Sequence, residues 1–447
     1  MKSLKRGSRL ITLMISVFII GMIVLIAKIQ MEASFYISNS GSRNLGYIYD
    51  RNGDIIFDDN AENGQYPDGY FKDLGNLIGD ASGQMTNTLV AKNIEKLSNY
   101  SFTSGITYKG GKAAIYSTLS HEANEKVYSA FGDKDGCAIA YNYKTGEILV
   151  CVSRPSVDPL KGYEDLAEGS LLCKAFYKTV PGSTQKIATL ISAVETMGMD
   201  ALMEKSFTCN GVYTNNTGLD IVCHNEYGHG TQNIREAFAN SCNPFFAQLV
   251  EDSGWSLANI EDCYKKLGYS VNGSEETEFS INGIISAKAS TTLEDKNEFN
   301  TQWSCIGQGT SLVSPCQLMM WQSAIANESG KSTMPYLIDH VTNVNGRTVE
   351  NASTNYSEQL FSSHTASEVK DIMLENGLNY TGKIPGYTLG IKSGTAQVKD
   401  GKEENSLLTG FVDDKDFPIA FAILIENRES YDVSTEYIAS VILDSLS

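Results

Sequence analysis

An uncharged apolar run near the start of the chain, residues 10–27, constrains the fold more than any other feature of the sequence. A run of this length is just long enough to cross a lipid bilayer as a helix. It is preceded by four basic residues: Lys2, Lys5, Arg6 and Arg9. Because basic flanks stay on the cytoplasmic side, we predict a cytoplasmic tail over residues 1–9 and a transmembrane anchor over residues 10–28. Everything after the anchor is then extracytoplasmic.

A cleaved signal peptide is the alternative, because it also combines a basic start with an apolar core. The run is longer than a usual signal core, and no A-x-A-like cleavage site follows it. These two features favour an uncleaved anchor. No second apolar run of comparable length occurs, so we predict a protein that spans the cell membrane once.

Composition and charge restrict the function of the remaining chain. Of the 447 residues, 42% are hydrophobic and 20% are charged, which is typical of a packed globular protein rather than a disordered one. The formal net charge of −18 repels phosphate backbones. Nucleic acid is therefore not expected as a partner, whereas a cationic or zwitterionic substrate remains open.

The extracytoplasmic part divides into a small module over residues 35–135 and a large domain over residues 136–447. The small module opens with YIYDRNGDII, which predicts two short strands around an Asn-Gly turn. The large domain opens with CAIAYNY and EILVCVS, a predicted hairpin, and ends with strand-like runs followed by a helix over residues 434–446. The predicted helices between them cover residues 184–197, 233–251 with an interruption at Asn243-Pro244, 315–327 and 366–376. Strands from both ends around a helical middle predict an α/β fold.

Ser183 and Lys186 form a candidate nucleophile and base. They stand three residues apart where a helix is predicted to begin, so they share one face of that helix. A serine hydroxyl needs a nearby base to become a nucleophile at neutral pH. A lysine can serve as that base if burial and neighbouring cations lower its pKa. A helix-capping serine followed by an exposed lysine would look the same, so this pair is not specific alone.

Two further motifs make the pattern specific. Ser241-Cys242-Asn243 falls at the interruption of the predicted helix, and Lys392-Ser393-Gly394-Thr395 lies in a strand-like run. In this order, S-x-x-K, S-x-N and K-[ST]-G resemble the active site of the penicillin-binding protein and serine β-lactamase superfamily. Further segments resemble class B penicillin-binding proteins: TGEILVCVSRPSVDP, AFANSCNPFFAQL, CIGQGTSLVSPCQLMM, SLLTGFV and PIAFAILIEN.

The resemblance implies a role for each motif residue. Ser241 would relay a proton between Lys186 and the leaving amine, and Asn243 would donate to a substrate carbonyl. Lys392, Ser393 and Thr395 would bind the terminal carboxylate of the substrate, while Gly394 permits close backbone approach. The backbone N–H groups of Ser183 and Thr395 would form the oxyanion hole.

The resemblance also implies a penicillin-binding transpeptidase fold. This is a mixed, antiparallel-rich sheet flanked by helices, with an all-helical subdomain and a small N-terminal pedestal. Two departures from the family pattern are visible. Cys316 stands where leucine is usual, and Leu45-Gly46 replaces the Arg-Gly that usually opens the pedestal.

The nine cysteines include no C-x-x-C pair. Cys209 and Cys223 bracket a polar loop outside the predicted membrane, where a disulfide between them could persist. The same two cysteines, with His224 and His229, could also be read as metal ligands, but their spacing fits no standard zinc site. We therefore predict a candidate disulfide and no metal site.

The function implied is a serine D,D-transpeptidase that cross-links peptidoglycan stem peptides through an acyl-enzyme on Ser183, with D,D-carboxypeptidase activity as a possible side reaction. No cofactor is expected. The expected partners are stem peptides, β-lactam antibiotics, the membrane and a glycan-polymerising membrane protein. The alternatives are a β-lactamase or penicillin sensor of the same fold, a bifunctional enzyme that also polymerises glycan, and a non-catalytic cell-wall scaffold. No convincing deacylating glutamate is seen between Ser183 and Lys392, which favours the transpeptidase.

Overall fold

The computed structural model describes residues 2–38, 45–59, 72–80, 82–98, 100–101, 105–106, 111–158, 162–399, 401–429 and 432–447. Within these ranges the α-helices are α1 Lys2–Ser38, α2 Gly75–Ile78, α3 Leu89–Leu97, α4 His121–Ala130, α5 Lys186–Met197, α6 Met199–Met203, α7 Ile234–Ala239, α8 Asn243–Glu251, α9 Leu257–Lys266, α10 Phe299–Cys305, α11 Pro315–Ala326, α12 Ser363–Gly377 and α13 Thr435–Leu446.

The strands within the same ranges are short in the first part of the chain and long near its end. They are β1 Tyr47–Tyr49, β2 Ile55–Asp58, β3 Tyr100–Ser101, β4 Gly105–Ile106, β5 Ala114–Ser117, β6 Gly136–Asn142, β7 Ile148–Arg154, β8 Phe207–Cys209, β9 Val212–Thr214, β10 Asp220–Val222, β11 Gly230–Gln232, β12 Tyr269–Val271, β13 Glu278–Ile281, β14 Ile284–Ala287, β15 Ala289–Thr291, β16 Leu312–Val313, β17 Ile338–Thr342, β18 Thr348–Asn351, β19 Leu389–Val398, β20 Glu403–Val412 and β21 Ile419–Ile425.

The central sheet of the large domain has the strand order β19-β20-β21-β6-β7, and every neighbouring pair is antiparallel. Strands from the two ends of the domain therefore meet at the β21–β6 pair, as the sequence predicted. Alternate residues of each strand face opposite sides of the sheet. One face packs against α4 and α13, and the other packs against α11 and α12. Both faces are covered, which explains why β6, β7 and β21 are apolar almost throughout.

The helical part of the large domain carries the predicted break, although at a slightly different place. The sequence placed the interruption at Asn243-Pro244, whereas α7 ends at Ala239 and α8 already begins at Asn243. Proline is tolerated in the first turn of a helix because its missing N–H would have no partner there. The turn over residues 240–242 is thereby held between two helices, and it contains Ser241.

The small N-terminal sheet has the order β18-β17-β5-β1-β2. The predicted turn between β1 and β2 is present, and the Asp50 carboxylate accepts the backbone N–H groups of Asn52 and Asp54 at 2.8 and 2.9 Å. Strands β17 and β18, over residues 338–351, come from the large domain. The pedestal sheet is therefore completed by a segment far away in sequence.

The N-terminal helix α1 includes a stretch, Arg9–Ile29, that is long and apolar enough to cross a membrane. It contains the predicted anchor, and α1 continues past it on both sides. The described side chains of this stretch are almost entirely exposed, as expected for a helix whose surroundings would be lipid rather than protein.

Candidate active site

The candidate nucleophile Ser183 lies in a single 3₁₀ turn, Gly182–Gln185, that leads directly into α5. The sequence predicted one helix from residue 184, and the structure divides it into this tighter turn and an α-helix that begins at Lys186. Ser183 is half-buried while its neighbours in the turn are buried. The hydroxyl is thus presented from a rigid helix start whose backbone N–H groups favour developing negative charge.

Lys186 is fully buried and lies at the centre of the site. Its Nζ is 2.8 Å from Ser183 Oγ, 2.7 Å from Asn243 Oδ1 and 2.7 Å from the Ser241 carbonyl oxygen. It also lies 3.3 Å from Ser241 Oγ. One amine therefore joins the first two motifs, which are separated by more than fifty residues in the sequence.

The surroundings of Lys186 also favour its neutral form. Burial lowers the pKa of the amine well below its ordinary value, and the nearby Lys392 lowers the pKa further. In the described residues, all hydrogen-bond partners of Nζ are hydroxyl, carbonyl or amide oxygens. Among the described residues, no carboxylate forms an ion pair with Lys186 that would counteract the loss of charge. A neutral Lys186 has a lone pair to accept the Ser183 proton, which is the role that the sequence prediction assigns to it.

Ser241 is held between the two motif lysines. Its Oγ is 3.3 Å from Lys186 Nζ and accepts a hydrogen bond from Lys392 Nζ at 2.9 Å. Its backbone φ of 51° is in the left-handed region, which is uncommon for a residue with a side chain. This strained turn holds a hydroxyl where it can pass a proton.

Lys392 is buried on β19, and its Nζ also donates to the Ser393 carbonyl oxygen at 3.0 Å. Burial lowers the pKa of Lys392 to about 7. Without bound substrate, a smaller fraction of Lys392 is therefore protonated near neutral pH than the sequence prediction implied. A carboxylate in contact with this amine would favour the charged form again.

Strand β19 passes unusually close to the nucleophile turn. A Cβ atom added at Gly394 would lie 2.9 Å from the Pro181 carbonyl oxygen and 3.1 Å from the Ser183 nitrogen. On the opposite side, a Cβ at Gly182 would lie 2.5 Å from the Thr395 carbonyl oxygen. The two glycines therefore allow Ser183 and Thr395, the predicted oxyanion-hole residues, to lie side by side.

Two further side chains contact the K-[ST]-G strand and were not predicted from sequence. Tyr380 donates its hydroxyl to Ser393 Oγ at 2.8 Å, and Gln308 Nε2 donates to the Thr395 carbonyl oxygen at 3.3 Å. Gln308 belongs to the quoted IGQG segment, so the family resemblance contained a signal for it. Tyr380 ends a 3₁₀ turn, Leu378–Tyr380, that follows α12, and nothing in its local sequence indicated this contact.

The predicted Cys209–Cys223 disulfide is not formed in the structure, where all nine cysteines are free thiols. Cys223 Sγ instead lies 3.4 Å from His229 Nδ1, so this thiol has a partner other than Cys209. Cys209, Cys223 and His229 group with Cys242, the central residue of the S-x-N motif. His224, the other candidate ligand, is not a member of this group.

The chain also matches known proteins in sequence. The family model described as "Penicillin binding protein transpeptidase domain" matches residues 136–444. Stage V sporulation protein D of Bacillus subtilis strain 168 is 30% identical over 330 residues, which cover 69% of this chain and 48% of that protein. The peptidoglycan D,D-transpeptidase PbpA of Mycolicibacterium smegmatis is 25% identical over 73% of this chain and 69% of its own length. The chain thus spans about half the length of the first of these relatives.

Solved structures share the fold at lower sequence identity. The D,D-transpeptidase domain of a peptidoglycan glycosyltransferase from Eggerthella lenta has a TM-score of 0.74 at 21% identity, covering 90% of this chain and 98% of that one. Penicillin-binding protein A of Mycobacterium tuberculosis, as its ceftriaxone acyl-enzyme complex, has a TM-score of 0.75 at 19% identity, covering 91% and 98%.

The fold and the three gathered motifs define a serine acyl-transfer site of the S-x-x-K, S-x-N and K-[ST]-G type. The chain belongs to the penicillin-binding protein transpeptidase family, with relatives among the peptidoglycan D,D-transpeptidases. The predicted family and fold class are thereby confirmed.

Proposed function

We propose that this protein is a serine D,D-transpeptidase that cross-links peptidoglycan stem peptides and is inhibited covalently by β-lactams. The observation that carries the proposal is the position of Lys186 Nζ, which contacts both Ser183 Oγ and the S-x-N motif while buried and depressed in pKa. A lysine with only a structural role would not need to be buried, to have a lowered pKa and to contact a serine hydroxyl at the same time. Family membership supports the same reaction.

In the first step Ser183 Oγ attacks the carbonyl carbon of the penultimate D-Ala of a donor stem. Lys186 Nζ takes the hydroxyl proton, and the carbonyl oxygen becomes an oxyanion held by the backbone N–H groups of Ser183 and Thr395. Collapse of this intermediate breaks the peptide bond. Ser241 Oγ, which lies between the two lysines, passes a proton to the departing D-Ala amine. The product is an ester on Ser183.

In the second step the amine of an acceptor stem attacks the ester carbonyl and releases Ser183. Before the first step, Lys392, Ser393 and Thr395 are suited to hold the terminal carboxylate of the donor, which later leaves with D-Ala. While bound, this carboxylate would restore the charge of Lys392. Asn243 Nδ2 donates to the Val222 carbonyl oxygen at 3.0 Å, so its donation to a substrate carbonyl would exchange one carbonyl partner for another.

We further propose that residues 10–28 anchor the protein in the cell membrane, with residues 1–9 in the cytoplasm. Residues 35–135 would then raise the transpeptidase domain, residues 136–447, above the membrane surface. The support is the apolar stretch Arg9–Ile29 and its basic flank. A glycan-polymerising membrane protein is the partner that this arrangement would require, because donor strands must be made nearby.

A two-part experiment tests the proposal. The detergent-solubilised full chain is first labelled with a fluorescent penicillin, and one covalent label on Ser183 is expected by peptide mass mapping. It is then given synthetic stem peptides with and without an amine acceptor. A cross-linked product that requires the acceptor supports transpeptidation. Rapid hydrolysis of the penicillin adduct would favour a β-lactamase, and absence of any label would favour a non-catalytic scaffold.

A further inference from the structure

Three thiols and one imidazole from separate segments meet beside the active site. Their ligand atoms, the Sγ atoms of Cys209, Cys223 and Cys242 and a ring nitrogen of His229, all lie within 4.8 Å of one another. The three cysteines are buried and His229 is half-buried. We call these four residues the Cys₃His cluster.

We propose that the Cys₃His cluster binds one zinc ion in a closed tetrahedral site. With Zn–S bonds of about 2.3 Å and Zn–N bonds of about 2.0 Å, the edges of such a tetrahedron are about 3.5–3.8 Å long. The 3.4 Å separation of Cys223 Sγ and His229 Nδ1 already fits one edge. The other ligand atoms need to move by only a fraction of a bond length. Sulfur-rich tetrahedral donor sets select zinc over harder divalent ions.

The backbone around the cluster is built to hold it together. The N–H of His229 donates to the Cys209 carbonyl oxygen at 3.0 Å, and the N–H of Cys223 donates to the Gly211 carbonyl oxygen at 2.8 Å. Gly228 has a φ of 77°, and a Cβ there would lie 2.2 Å from the same Cys209 oxygen. The loop segments therefore approach more closely than side chains would allow, and the ligand positions are set before any ion enters.

The donor set explains why local spacing did not indicate this site. The fourth ligand, Cys242, lies in the S-x-N turn rather than in the loop that carries the other three. Only the fold brings β8, the loop around Cys223 and the start of α8 to one point. Binding would replace three thiol protons with one divalent ion, so the filled site would carry a net charge of −1 with a neutral imidazole.

The same ligand would connect the ion to the catalytic motif. Cys242 stands between Ser241 and Asn243, and Asn243 Nδ2 donates to the carbonyl oxygen of Val222, the neighbour of Cys223. A bound ion would therefore fix the S-x-N turn against the loop by a second connection. We infer a structural role, in which the ion holds Ser241 and Asn243 at their distances from Lys186, and no chemistry on the ion itself.

The test is metal analysis of the full chain, produced without a histidine tag, purified under reducing conditions and dialysed against a weak chelator. We expect about one zinc per chain. Cys209→Ser should lose most of it, since one thiolate is removed, whereas Cys263→Ser should keep it. Cys263 is the matched control because it is also a buried cysteine but lies on α9, outside the cluster. X-ray absorption on the unmodified protein should show three sulfur neighbours at about 2.3 Å.

Two results would overturn the proposal. One is less than about a tenth of an equivalent of zinc after reconstitution of the reduced chain, which rules out binding at the affinity typical of closed thiolate sites. The other is a disulfide among Cys209, Cys223 and Cys242 in protein taken from its native compartment.

If Cys209→Ser does not fold, Co²⁺ substitution of the unmodified chain still decides, because tetrahedral thiolate coordination gives intense visible absorption. Since metal content is measured without penicillin, failure here is distinguishable from failure of the proposed enzymatic function.

Discussion

Replacing Lys186 with methionine would test the proposed base most directly. Methionine fills nearly the same volume as the lysine stem, so the site stays filled while the amine, which lies 5.7 Å from the centre of the Phe246 ring, is removed. The variant loses the 2.8 Å contact with Ser183 Oγ and the 2.7 Å contacts with Asn243 Oδ1 and the Ser241 carbonyl. Removal of a buried amine also relieves its desolvation, which offsets part of the loss.

The expected loss of acylation rate follows from these contacts. General-base catalysis commonly contributes about 10²–10⁴-fold. The other amine in the site, Lys392, reaches Ser241 Oγ at 2.9 Å and has a pKa of about 7, so it could accept a proton through that hydroxyl. We therefore expect a loss of about a hundredfold to a thousandfold rather than complete inactivation. Stability should change by less than about 3 kcal/mol, the cost of one or two unsatisfied acceptors.

The assay is the second-order rate of labelling by a fluorescent penicillin, measured on the full chain in detergent at pH 7.5. Lys178→Ala is the matched control, because this lysine lies shortly before the nucleophile but pairs with Glu276 on the surface. It should label at the unmodified rate. A loss of less than tenfold in Lys186→Met, with the fold intact by thermal unfolding, would show that the proton goes elsewhere.

Three further predictions concern the same site. Ser183→Ala should abolish covalent labelling and leave the thermal midpoint within a few degrees, and label retained on the variant would contradict the assigned nucleophile. The kcat/KM for penicillin acylation should fall as pH rises through about 7, because burial gives Lys392 a pKa of about 7 and the neutral amine no longer attracts a carboxylate. Lys392→Arg should be acylated more slowly, but its rate should not decline as pH rises, since arginine stays charged. If the variant shows the same decline, the titrating group is not Lys392. Gly394→Ala should slow acylation at least tenfold, because the new methyl group would lie 2.9 Å from the Pro181 carbonyl oxygen. Gly382→Ala is the control, because a methyl group there meets no atom within 4 Å, and it should be labelled at the unmodified rate. Equal rates for the two variants would refute the close approach of β19 to the nucleophile turn.

The sequence alone determined those features that depend on neighbouring residues. Apolar strands joined by Lys-Thr-Gly gave the β6–β7 hairpin, and the Ser-Thr-Gln-Lys segment gave a helix start with serine and lysine on one face. The order of the three motifs indicated the family, which the comparisons confirm. These inferences succeed because periodicity, turn chemistry and motif spacing are local properties of the chain.

The tertiary structure decided what depends on contacts between distant segments. It placed Ser241 between Lys186 and Lys392, lowered the pKa of both lysines by burial, and added β17 and β18 to the pedestal sheet. It also grouped Cys242 with Cys209 instead of pairing Cys209 with Cys223 in a disulfide. Distances and desolvation of this kind are set by packing of the whole core, so no local pattern encodes them.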